Sequence, residues 1–91
     1  MASLDAFRLG ANYPNLFGRS TEIRYELPEK ATVRLAVYNV MGRRVRSIRS
    51  RSQPAGYHKA RLETGRLPAG VYFVRMRAGE FAGTRRFVVA R

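Results

Sequence analysis

The sequence predicts an all-β chain, a sandwich of about seven antiparallel strands with no helix. Two patterns carry this expectation. Strand-like segments return every eight to twelve residues or so, and Gly, Pro or Asn stands between them. No segment keeps an apolar period of about 3.6 residues through three turns, so no helix is expected. The length of 91 residues suits one domain with a modest core, and the chain must fold without crosslinks because it has no cysteine.

The elements follow in order. A short first strand is expected around residues 7–9. Residues 21–27 alternate, with Ile23, Tyr25 and Leu27 on one face and Glu22, Arg24 and Glu26 on the other, until Pro28 ends the ladder. Residues 31–40 alternate again and point Val33, Leu35 and Val37 inward. Asn39-Val40-Met41-Gly42 then reads as a turn in which Gly42 supplies any positive φ. Residues 43–48 form a weaker strand, in which the spacing of Val45 and Ile48 breaks alternation and predicts a bulge or an early end. The polar stretch 49–55 and the Pro54-Ala55-Gly56 sequence predict a loop.

Residues 57–62 alternate, with His58, Ala60 and Leu62 on one side. Residues 63–69 read as a second loop, with Leu67 plugging the end of the core. The strongest strand runs over 70–77 through Val71, Tyr72, Phe73, Val74 and Met76. Ala78-Gly79 is expected as a two-residue hairpin turn, and residues 81–90 as the returning strand, with Phe87 and Val89 inward. This rhythm is that of an immunoglobulin-like sandwich by architecture, without the cysteine pair.

Charge is the outlier of the composition. Eighteen Lys and Arg face six Asp and Glu, for a net charge of +12. All but Lys30 and Lys59 of the basic residues are Arg. Such a field attracts polyanions in general, and an Arg-preferring host genome explains the same excess, so charge alone names no partner. No apolar run approaches the roughly 20 residues that span a bilayer. The first residues show no basic region followed by a long apolar stretch, so no signal peptide is read there.

Three ordered stretches say more. They are Asn12-Tyr13-Pro14-Asn15-Leu16-Phe17, then Val37-Tyr38-Asn39-Val40-Met41-Gly42-Arg43-Arg44-Val45, and then Ala55-Gly56-Tyr57-His58 leading through Leu67-Pro68-Ala69-Gly70 to Val71-Tyr72-Phe73-Val74-Arg75-Met76. In this order and at these distances the chain resembles the C-terminal sorting domains of the type IX (Por) secretion system, which are related to Ig-like domains of the flagellar-hook-cap type. It departs from the family's habit at Leu16, where a proline is usual. The resemblance covers residues 11–91 and leaves 1–10 as a lead-in of linker residues and a first strand.

The resemblance implies a secretion signal. Such a domain follows N-terminal carrier domains and is read by the outer-membrane translocation machinery. Its carrier reaches the outer-membrane surface or the medium through the periplasm, with anionic lipopolysaccharide as a further partner. The alternative is a basic Ig-like module for anionic polysaccharide or nucleic acid. Nucleic acid is the weaker choice, because Tyr72, Phe73 and Phe87 lie in core-like strands and only Tyr57 and Phe81 look free to stack on bases.

Candidate recognition residues are Asn12, Tyr13, Pro14 and Asn15 together with Arg85, Arg86 and Arg91 of the last strand. For the first four, a plain turn that covers the end of the sandwich is the simpler reading. Arg43, Arg44, Arg46, Arg49 and Arg51 form a candidate anion patch, or else a solvated strand edge that resists aggregation. No enzyme is predicted, and no cofactor or metal. His58 is the only histidine, the six carboxylates are scattered, and no serine has a base and an orienting acid at hand.

Overall fold

The computed structural model describes residues 6–10, 16–17 and 19–90. Eight strand segments run in chain order: β1 (Arg8–Leu9), β2 (Leu16–Phe17), β3 (Ser20–Leu27), β4 (Ala31–Asn39), β5 (Arg44–Gln53), β6 (Gly56–Glu63), β7 (Gly70–Ala78) and β8 (Phe81–Val89). They form two sheets, one ordered β1-β3-β6 and one ordered β2-β8-β7-β4-β5. The all-β sandwich is as expected, and no helix occurs among the described residues. Seven segments pair antiparallel, and the short β2 lies parallel to the end of β8, opposite Val88 and Val89.

Period-two alternation builds the core. Thr21, Ile23, Tyr25 and Leu27 of β3 are buried, as are Val33, Leu35 and Val37 of β4. The strongest strand adds Tyr72, Val74, Met76 and Ala78, and β8 adds Phe87 and Val89. Ala60 and Leu62 of β6 and the plug residue Leu67 complete the layer. Each fully buried large apolar side chain contributes roughly 1.5–3 kcal/mol over its exposed state, so this layer outweighs any surface ion pair. Leu9 of β1 is also buried, and Gly10 N–H donates to the Arg24 carbonyl, so the lead-in contributes to the core.

The β4–β5 hairpin explains the broken spacing of Val45 and Ile48. Leu35 pairs with Arg49 but Ala36 with Ser47, and Val37 pairs with Arg46 but Tyr38 with Arg44. Ile48 and Val45 are therefore the extra residues of two bulges, and both pack against the core. The hairpin loop closes as a turn ending in Gly42 at φ 80°. The Asn39 side-chain oxygen accepts from the N–H groups of Met41 and Arg43 at 2.9 and 3.0 Å.

Two expectations need correction. Residues 49–53 are not a loop; they continue β5 as far as Gln53. Their polarity misled because β5 is an edge strand at the margin of the larger sheet, where alternate positions meet a neighbouring edge and not a full apolar layer. The hairpin after β7 is also shifted by one residue: Ala78 still pairs with Phe81, so the two-residue loop is Gly79-Glu80. Gly79 takes φ 58° and no described non-glycine residue has positive φ, as a II′ turn requires.

A polar network closes the margin between β5 and β6. The Tyr25 hydroxyl, on a residue only 1% exposed, donates to the Gln53 side-chain oxygen Oε1 and accepts from Arg49 Nη1 at 2.8 Å. Arg49 also donates to the Lys59 carbonyl at 3.2 Å. His58 Nε2 lies 2.8 Å from the Pro54 carbonyl, which only accepts, so this nitrogen carries the proton. Nδ1 is then free to accept from the Gln53 amide at 3.3 Å, and the imidazole stacks on the Tyr25 ring. Replacing Tyr25 with Phe should cost about 1–3 kcal/mol in urea unfolding with an unchanged slope, because buried Gln53 loses its donor. A change within about 0.3 kcal/mol would show that the network is not needed.

Candidate functional site

The five arginines of the β4–β5 hairpin do not form one patch. The two bulges change which way the strand faces, and the guanidinium groups separate into different tasks. Arg46 is half-buried and donates through Nη2 to the Thr64 carbonyl at 3.1 Å and through Nη1 to the Val45 carbonyl at 3.1 Å. It ties β5 to the loop after β6. Arg49 belongs to the Tyr25 network. Arg43, Arg44 and Arg51 are exposed.

The last-strand candidates also diverge. Arg85 Nε donates to the Leu9 carbonyl at 2.9 Å and joins β8 to β1, closing the other margin of the sandwich. Arg86 is exposed and stands opposite Phe73 on β7. Asn12, Tyr13, Pro14, Asn15 and Arg91 lie outside the described residues. Of the aromatics expected to be free, Tyr57 is 74% exposed. Phe81 is half-buried and stacks on Phe7 at 5.7 Å.

Strand pairing assembles a basic surface that the sequence does not display as a cluster. On the exposed face of the five-stranded sheet, Arg34 of β4 stands opposite Arg77 of β7, and Ala36 stands opposite Arg75. Tyr38 stands opposite Phe73, and the Arg75 guanidinium lies 5.9 Å from the centre of the Tyr38 ring. Ser50, Ser47 and Arg44 of β5 continue the rows of Arg34, Ala36 and Tyr38. Between these side chains runs a groove of about 320 Å³. Arg34 and the Arg75–Arg77 pair are some forty residues apart in the chain, and only the β4–β7 register joins them. The available signal was Arg at the alternate, outward positions of two strong strands.

The outer face of the three-stranded sheet is different, because it balances its charges. Arg24 pairs with Glu22 at 2.7 Å and Arg61 with Glu63 at 3.5 Å. The hydrogen bond from Arg24 is the main cause that holds the Glu22 carboxyl below its ordinary value; desolvation opposes it, and the charges of Arg24 and Lys59 assist. No three His, Cys, Asp or Glu gather to hold a metal among the described residues, and no helix there is long and apolar enough to cross a membrane.

Comparison with known families decides what this sandwich is for. A family model described as the secretion system C-terminal sorting domain matches residues 11–90. The chain belongs to that family. It is a sorting domain of type IX secretion, recognised by that machinery, in a family placed at the C-termini of carrier proteins. A search of curated proteins finds no match. The match takes in both the exposed sheet face and the hairpin arginines, and it favours a sorting signal over a free-standing polysaccharide or nucleic-acid module.

Two measurements follow from the placement of the charges. Arg46→Met should cost about 0.5–1.5 kcal/mol in chemical unfolding, and Arg43→Gln less than about 0.5, because only the first removes an inter-element hydrogen bond. Equal losses would return both residues to one class. By carboxyl-detected NMR, Glu22 should titrate below the ordinary glutamate value, and Arg24→Gln should raise it towards that value. A depressed value means that its small contribution to stability is present above the unfolded value and disappears as pH falls through the folded one. No movement of Glu22 in the variant would remove Arg24 as the cause.

Proposed function

We propose that this domain is a non-catalytic export tag that carries its partner domains through the periplasm and across the outer membrane to the cell surface. The family match over residues 11–90 carries this reading. The fold fits it in two ways. The chemistry of the described residues is that of packing and surface contact, and both margins of the sandwich are tied by buried or half-buried hydrogen bonds. A signal recognised as a folded object needs such a fixed outline.

Within this reading, the outer-membrane translocation machinery contacts Asn12, Tyr13, Pro14 and Asn15 together with Arg86 of the C-terminal strand and with Arg91. Arg85 contributes indirectly, because its bond to Leu9 holds that strand in place. Arg43, Arg44 and Arg51 form an exposed cationic edge suited to phosphate or carboxylate groups of lipopolysaccharide once the carrier is outside. Arg46 and Arg49 are committed to the fold and supply no such contacts.

The test is a fusion of this domain to the C-terminus of a periplasmic reporter in a type IX-competent cell. The reporter should appear on the surface or in the medium, and should remain periplasmic in a strain that lacks the translocation channel. Retention of a folded fusion in the competent strain would sink the proposal. Truncating the last strand is a poor control, since Phe87 and Val89 are core residues. Arg86→Glu, at an exposed position, should lower export several-fold and leave the unfolding midpoint within the range of ordinary surface substitutions.

A further inference from the structure

The exposed face of the five-stranded sheet carries two kinds of side chain in separate zones. Towards the Gly79-Glu80 turn stand Arg34, Arg75 and Arg77, beside Ser47 and Ser50. Towards the other end stand Tyr38, Phe73, Val71 and Val88, all half-exposed. Arg44 and Arg86 flank this apolar zone. Neither of the two ion pairs among the described residues lies on this face; both belong to the opposite sheet.

Direct opposition of Arg34 and Arg77 is unfavourable by itself, because like charges facing each other across a strand pair repel. The same protein neutralises arginines with glutamates on its other outer face. The five-stranded sheet therefore presents an uncompensated basic groove beside an apolar strip, and its chemical complement is a surface with carboxylates next to apolar groups.

We propose that this face is a docking surface for an acidic protein face, with Arg34, Arg75 and Arg77 receiving carboxylates and Tyr38 and Phe73 receiving apolar side chains. A protein partner is favoured over a bare polyanion by the composition of the face. Arg, Tyr and Phe are the residues enriched at protein interfaces, whereas Lys is depleted there. Both lysines of the chain lie elsewhere, Lys30 before β4 and Lys59 on β6. A polyphosphate would have no use for Val71, Phe73 and Val88. Arginine also matches a carboxylate with two parallel hydrogen bonds, which fixes orientation as well as attraction. The inference deepens the sorting reading, since it names the surface through which an acidic component of the machinery would hold the domain.

The test titrates the isotopically labelled domain with a glutamate–tyrosine copolymer and, at matched charge, with inorganic polyphosphate. The copolymer should bind more tightly and shift the amides of Tyr38, Phe73, Arg75 and Arg77. Replacing Arg34, Arg75 and Arg77 together with Ser should weaken it about tenfold or more, whereas Arg24, Lys59 and Arg61 to Ser should change it by about twofold at most. Polyphosphate binding as tightly as the copolymer would overturn the assignment to a protein partner. Shifts centred on the three-stranded sheet, or no copolymer binding, would overturn the surface itself. Export of the same variants in the reporter fusion keeps the two readings apart. Loss of copolymer binding with undiminished export removes this surface from the contact with the machinery and leaves the sorting role. Failure of the unaltered fusion to be exported, with binding intact, removes the sorting role and leaves the surface.

Discussion

The buried hydroxyl of Tyr25 is the constraint around which one whole margin of the sandwich is organised. Tyrosine at this position brings a large ring into the core, and its hydroxyl has no access to water. A polar group so placed must find partners or offset much of what the ring's burial contributes. Gln53 and Arg49 meet that need, and both come from β5. The strand must therefore run as far as Gln53, and Arg49 must turn inward to reach both Tyr25 and the Lys59 carbonyl. His58, which stacks on the same ring, is held by Gln53 and Pro54 and so belongs to packing.

That constraint also separates structural from available arginines. A three-stranded sheet facing a five-stranded one leaves margins that apolar side chains do not fully cover. Arg46 and Arg49 on one side and Arg85 on the other cross those margins to carbonyl or hydroxyl oxygens. Long side chains with several fixed donors suit this task, because one group can reach another element and satisfy an acceptor there. Among the exposed arginines outside these ties, Arg43, Arg44 and Arg51 stand on the hairpin edge and Arg34, Arg75, Arg77 and Arg86 on the outer face of the larger sheet. This second set is the one from which the contacts proposed for the sorting role are drawn.

The residues show where legibility in the sequence ended. Alternation located Ile23, Tyr25, Leu27, Val33, Leu35 and Val37 without error, because a buried face imposes period two on each strand. The off-period pair Val45 and Ile48 marked the bulges for the same reason. The stretch from Arg49 to Gln53 gave no such signal. Its strand state comes from pairing with β4, and its inward side chains are polar because their partners are polar. The arginine cluster misled in a related way: closeness in the chain suggested one patch, and the bulges dispersed it.

What the sequence determined by itself was the all-β class, most of the core and, through three ordered motifs, the sorting family. These are properties of local pattern, since alternation, turn residues and motif order are all written within short windows of chain. Only the tertiary structure decided which cations are available for contact. Arg34 meets Arg75 and Arg77 through the pairing of strands distant in sequence, while Arg46, Arg49 and Arg85 are withdrawn by acceptors on other elements. Local pattern cannot carry that information, because whether a charge is free depends on what lies across the sheet from it.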